Sequence, residues 1–368
     1  MRFANFIFPE AADPARDADY ISEAIDEARL TERLGFDSAW LAEHHFDGNC
    51  AYVDPTTFAA AILGATSRLR VGFAVAQVSL YHPVRLAEQI ALLDNLGRGR
   101  LMVGIGRGTA YNVYEYQGYG IPHGEAGERY EEAEAIMLKA WTGTEGFEHT
   151  GKFWQVKGPA LRPRPFTKPH PLVLRAASSD FGAAGLGGRG LPFLMNVQSD
   201  DNTFARLTAY QSAMRGAGFD DAHVARCMDE SWIWRNVYVG ETDAEAQSTA
   251  LPYFVGMVDH RSSMRGRVAA EQGQAITSSN PVYRDPNIGL LAGSPAKVAE
   301  RMALLARSGV GGVMMQFRLG SMPAELANES MTRFAQQVIP EFTKRMATSG
   351  APVVPITTFD RVVSEVSA

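Results

Sequence analysis

Short apolar runs alternate with stretches of helical periodicity about eight times along 368 residues, with no repeat or low-complexity linker between them, and predict one (β/α)8 TIM barrel. Strand–helix alternation calls for a parallel sheet, and eight such units close on themselves; an open doubly wound sheet is the other arrangement the pattern allows. With 46% hydrophobic and 21% charged residues, the chain has ordinary globular composition and enough length for one large core.

The elements follow in order. Phe3 to Phe8 reads as a strand, and Ile21 to Leu34 repeats apolar residues at helical spacing until Gly35 ends it. Ser38 to Leu41 is the next strand, Thr56 to Ala65 a helix, Leu69 to Ala74 a strand, and Pro83 to Asn95 a helix opened by its proline. Leu101 to Ile105, Leu172 to Ala176 and Phe193 to Asn196 are strands, with Glu128 to Trp141 and Asn202 to Ala217 helical. Trp232 to Val239 and Gly312 to Phe317 complete the strands, and helices run from Asp243, from Ala296 to Arg307, and to a last one ending near Phe342. Residues 260–291, polar and rich in Gly, Ser and Arg, break the rhythm and are expected to form a long lid insertion late in the barrel. The barrel is expected over 1–345, and 346–368, with Pro352 and Pro355, as a C-terminal extension.

A net charge of −6 and a pI near 5.8 argue against nucleic acid and for a small-molecule ligand. Cys50 and Cys227 form neither a CxxC motif nor a Cys/His cluster, so neither zinc nor a disulfide framework is expected. The start MRFANFIFPE, interrupted by Asn5 and ended by Pro9, fails as a signal peptide and as a spanning helix, which points to the cytoplasm and no membrane.

Ligands of a parallel barrel bind at the C-terminal ends of its strands, so unusual residues just after the strands are the candidates. Glu43-His44-His45 sets a carboxylate beside two imidazoles able to move protons near neutrality. A structural hydrogen-bonded pair and a metal site are the other readings, though no further ligand spacing accompanies them. Gly104 to Gly108 lacks the third glycine of a dinucleotide fingerprint at Thr109, leaving a backbone-open loop with Arg107, suited to a phosphate or to a surface ion pair. Ser178-Ser179, before a glycine-rich stretch, offers an anion site at a helix start or a simple N-cap.

GFDSAWLAEHHF (Gly35 to Phe46), LGATSRLRVGFAVAQ (Leu63 to Gln77), HPVRLAEQIALLDNLGRGR (His82 to Arg100), GIGRG (Gly104 to Gly108), RAASS (Arg175 to Ser179), RGLP (Arg189 to Pro192), VYVGETDAEA and GSPAKVAERM, in this order, resemble the bacterial-luciferase-like flavin monooxygenases, most closely the alkanal-monooxygenase branch. The resemblance runs from Phe3 to about Phe342. It implies an oxidoreductase that uses reduced FMN, delivered by a separate flavin reductase, and O2 on a small aldehyde, ketone, terpene-like or aromatic compound. It implies a catalytic His44; cofactor contacts from Glu43, Ala74, Val75, Gly106, Arg107, Ser178 and Ser179; a cis bond at Ala74-Val75; a substrate pocket with His45, Tyr111 and Asn196; and a homodimer. Gly106 stands where the luciferase carries a reactive cysteine, and Gly182 where relatives offer a hydroxyl to the phosphate. A deazaflavin-dependent hydride-transfer enzyme of the same fold is the alternative, favoured less by Glu43-His44-His45-Phe46, and a silent flavin-binding subunit is a third.

Overall fold

The computed structural model describes residues 1–8, 10, 11, 13–109, 112–271 and 284–348. Eight parallel strands close in chain order: β1 Arg2–Ile7, β2 Ser38–Leu41, β3 Arg70–Phe73, β4 Leu101–Gly106, β5 Leu172–Ala177, β6 Phe193–Met195, β7 Trp232–Val239 and β8 Gly312–Gln316. β8 pairs back onto β1 with Arg2 opposite Gly312, which completes the expected TIM barrel.

Alternate residues of a strand face opposite sides. Ala4, Phe6, Trp40, Met102, Leu174, Leu194, Trp232 and Met314 accordingly form one apolar cluster inside the barrel. The Trp40 and Trp232 rings lie 5.3 Å apart there, each opposite a glycine of the neighbouring strand, Gly72 and Gly312. A methyl group at either glycine would run into the facing indole, so these two positions admit no side chain. The outward residues, among them Val71, Val103, Val173, Ile233 and Val313, pack under the helices in two outer clusters. Helix α1 is Asp17–Arg33 and α2 is Pro55–Ala65, whose start is fixed by Asp54 accepting from the Thr56 and Thr57 amides and by Pro55 in the first turn. Helix α3 is Pro83–Gly97.

The sequence pattern missed four features: helix α4 Val113–Gly118, the hairpin Gly146–Thr150 with Gln155–Pro159, the helix Asp221–Glu230, and the strand Leu290–Gly293 paired in parallel to the C-terminal half of β7. The expectation of a polar loop over 260–291 is corrected as well. His260 to Glu271 is the end of a 29-residue helix, Asp243–Glu271, and Leu290 already belongs to a strand; 272–283 lie outside the described residues. The helical period is hard to see there because buried Phe254, Met257 and Val258 are followed on the same face mainly by Met264, with arginines between. The last helix runs to Thr348, so the expected boundary at 345 falls inside it, and 349–368 lie outside the described residues.

Candidate active site

A cavity of about 300 Å³ opens at the C-terminal ends of the strands, floored by Phe6, Leu194, Trp234 and Met314. His44, Glu43, Ala74, Val75, Gly106, Arg107, Ser178 and Asn196 all border it, so the strand-end residues do converge. The Ala74-Val75 bond is cis, as the resemblance implies.

β2 ends in the Glu43-His44-His45 stretch, and the extended backbone sends the two imidazoles to opposite sides. His44 lies against Phe8, ring centroids 5.1 Å apart, and its Nδ1 is 2.9 Å from Glu115 Oε1. A carboxylate only accepts, so Nδ1 carries the proton and Nε2 is the nitrogen left for the cavity, able to take a proton or, as imidazolium, give one. Glu115 is wholly buried on α4, where the same oxygen also accepts from the His45 amide at 3.3 Å and Asn112 Nδ2 at 3.4 Å.

His45 does not border the cavity. It is sealed, with Nε2 2.9 Å from Glu43 Oε1 and Nδ1 3.2 Å from the Tyr119 hydroxyl, which corrects its expected place in a substrate pocket. Glu43 also accepts from the Gln77 amide at 2.8 Å, while Gln77 Nε2 donates to the Glu43 carbonyl at 3.0 Å. These bonds tie β2 to the chain just past Ala74-Val75. Burial pushes the Glu43 carboxyl above the usual carboxylate range, against the pull of its bonds to His45 and Gln77.

Across the cavity, Arg107 follows β4 and is exposed, and its carbonyl accepts from the Tyr116 hydroxyl. A Cβ at Gly106 would press on Val75 Cγ2, so the glycine lets β4 approach the cis bond closely. Ser178 faces the cavity. Ser179 does not border it; its Oγ caps the helix Asp180–Gly188 by accepting from the Gly182 amide at 3.1 Å, the N-cap alternative. Asn196 Oδ1 accepts from Gln198 Nε2 at 3.0 Å. Tyr111 lies outside the described residues.

Glu115, Asn112, Arg261 and Arg265 belong to this region and escaped the sequence reading. Arg261 stands over Phe8, its guanidinium carbon 4.2 Å from the ring centre, and its Nε donates to Glu10 at 2.7 Å. Arg265 Nε donates to Asn112 Oδ1 at 3.0 Å. Among the described residues no group of three or more His, Cys, Asp or Glu side chains could hold a metal ion. Among the described residues, a larger cavity of about 710 Å³ shares no lining residue with this one and is lined by no histidine; its Asp200 is paired with Arg235 and Arg301.

An apolar floor between an exposed arginine with a serine hydroxyl and a carboxylate-held histidine suits a flat ring system carrying an anionic tail, and Gly106 keeps the approach to that floor clear. The sequence profile of the luciferase-like monooxygenases matches residues 1–311. The chain is 34% identical over 180 residues, 49% of its length and 50% of the other's, to the uncharacterized protein y4vJ of Sinorhizobium fredii. It is 24% identical over 361 residues, 94% of its length and 96% of the other's, to the oxygenase component of a flavin-dependent trigonelline monooxygenase from Acinetobacter baylyi. It is 29% identical over 243 residues, 62% of its length and 63% of the other's, to the alkanal monooxygenase alpha chain of Photorhabdus laumondii. The fold is shared with monooxygenase RslO1 from Streptomyces bottropensis (TM-score 0.77, 24% identity, 93% of this chain and 100% of that one). It is shared too with the FMN-bound oxygenating constituent of 3,6-diketocamphane monooxygenase from Pseudomonas putida (TM-score 0.74, 20% identity, 93% and 98%).

Proposed function

The chain belongs to the luciferase-like monooxygenase family, and from that premise we propose that it is the oxygenase of a two-component system, using reduced FMN from a separate flavin reductase and O2 to oxidise a small organic substrate. The observation that carries this reading is His44, held by the buried Glu115 at 2.9 Å and lining the same cavity as Arg107 and Ser178. Arg107 supplies charge and Ser178 a directed hydroxyl for the FMN phosphate. Ala74, Val75, Gly106, Ala176 and Ala177 give the ring an apolar seat. Reduced flavin, when bound, supplies the electrons that activate O2.

The remaining work falls to the chain's own groups. His44 Nε2 accepts or returns a proton at the reacting end, and Glu115 holds the ring in the tautomer that leaves Nε2 available. Phe6, Leu194, Trp234 and Met314 exclude water beneath the reacting atoms, which strengthens each polar contact there.

A cytoplasmic homodimer is part of the same proposal. No helix among the described residues is long and apolar enough to cross a membrane, and α3 exposes Leu92 and Leu96 one turn apart. A monomer by light scattering at micromolar concentration overturns the dimer.

The test of function is oxygen consumption with a flavin reductase, NADH and FMN across aldehydes, ketones, terpenes and aromatics. The reading expects a compound that raises oxygenated product at the expense of peroxide. Turnover with a reduced deazaflavin in the absence of O2 overturns it.

A further inference from the structure

The helix Asp243–Glu271 turns Val258, Arg261, Ser262 and Arg265 toward the cavity, at the spacing of one helix face. Both arginines are tied to the His44 end. Arg261 reaches it through Phe8, 4.2 Å from the guanidinium carbon and 5.1 Å from the His44 ring centre. Arg265 reaches it through Asn112, bonded at 3.0 Å, which donates to Glu115 at 3.4 Å, and Glu115 holds His44 at 2.9 Å. Glu10 and Asn112 each accept a hydrogen bond from an arginine Nε, which fixes the planes of the two guanidinium groups.

The charge balance points the same way. The chain carries a net charge of −6, yet four arginines, Arg107, Arg261, Arg265 and Arg284, line this cavity against two carboxylates, and the buried Glu10 behind it balances Arg261 alone. Glu43 is engaged by His45 and Gln77, and Asp47 accepts from the Asn49 and Cys50 amides. Positive charge gathered at one mouth of an acidic protein draws anions to that mouth. Arg107 and Ser178 are taken by the phosphate in the flavin reading, and Arg261 and Arg265 neighbour His44 through Phe8 and Asn112.

We propose that Arg261 and Arg265 form a binding site for an anionic group of the substrate, a carboxylate in the simplest case, so that the substrate class is a small organic acid oxidised beside His44. The word substrate rests on the flavin-oxygenase reading; the anion site does not.

The test is calorimetric binding of acid and amide pairs sharing one carbon skeleton, from hexanoate to decanoate with benzoate and 4-methoxybenzoate, to the native protein with and without saturating oxidised FMN. At least one acid is expected to bind tenfold or more tighter than its amide. Arg265→Gln abolishes that preference, Arg265→Lys keeps part of it, and FMN affinity stays unchanged in both. Arg261→Gln alone would strand the buried Glu10, so the paired variant Glu10→Gln/Arg261→Gln is used, with the same loss expected. Amides binding as well as every acid, or a preference that survives Arg265→Gln, overturns the proposal. So does a tenfold loss of FMN affinity in Arg265→Gln, which would give these arginines to the cofactor. Native protein that fails to bind FMN while keeping an Arg265-dependent preference for acids overturns the flavin reading and leaves this one standing.

Discussion

On one side of the cavity His44 faces the open volume while its neighbour His45 is sealed against Glu43 and Tyr119; on the other, Ser178 faces it while its neighbour Ser179 caps a helix. Both histidines sit 2.9 Å from a carboxylate, and both serines carry the same hydroxyl. Residue type sets the chemistry on offer, and the side of the strand decides whether a ligand can reach it. In each pair one member serves the cavity and the other holds the scaffold around it.

The largest expected effect separates the histidines. His44→Ala keeps the fold and slows oxygenation by about 100-fold or more, the scale of a lost general acid/base. His45→Ala removes the partner of buried Glu43, with a loss of stability on the order of 3 kcal/mol and little change in turnover per folded molecule. Urea unfolding and product yield, measured together, check both; equal losses of turnover would break the comparison.

At the other side, Arg107→Ala is expected to weaken FMN by about one to two decades, from the loss of roughly 1.5 to 3 kcal/mol in charge-assisted bonding. Riboflavin, lacking the phosphate, should bind poorly and lose little further. Equal weakening of both ligands would move Arg107 to the ring or the loop.

The serines should divide as the histidines do, on a smaller scale. Ser178→Ala weakens FMN several-fold without lowering the melting temperature, whereas Ser179→Ala costs about 1 kcal/mol of stability as a lost N-cap and less FMN affinity. Titration and thermal melts of the two variants decide; FMN loss concentrated in Ser179→Ala would reverse the assignment.

The smallest effect concerns pH. Burial raises the Glu43 carboxyl, so the folded state holds that proton more tightly than the unfolded chain does. The stability this contributes is full below the ordinary carboxylate range and is lost as pH rises through the raised value. The stability of the native protein relative to Glu43→Gln should therefore fall as pH rises above the ordinary carboxylate range. Urea midpoints that diverge in the opposite sense would show that the His45 bond outweighs burial.

The barrel was legible because strand runs such as Val71 to Phe73 and Leu101 to Ile105, buried on both faces, read as unbroken apolar segments between capped helices. His44, Arg107 and Ser178 were legible because they follow such strands. Glu115 was not, because α4 has six residues and its Tyr-rich surroundings show neither strand nor helix period. Only the return of that helix over the end of β2 brings its carboxylate to His44. Arg261 and Arg265 were hidden by their own role: arginines facing a cavity interrupt the apolar stripe by which a helix is recognised. The sides of His45 and Ser179 depend on hydrogen bonds to Tyr119 and Gly182 that no local pattern announces.

If His44 does the proton chemistry and Glu115 orients its ring, the two losses share one route, and a double-mutant cycle reads this out. Product formed per reduced FMN would be followed in single turnover for His44→Ala, Glu115→Ala and the double variant, on a substrate found in the oxygenation screen. At saturating substrate the double variant is expected to be no slower than His44→Ala, because Glu115 then has no imidazole left to orient and its bond to Asn112 bears on substrate affinity instead. Losses that multiply would show the two residues acting independently and would contradict the shared route.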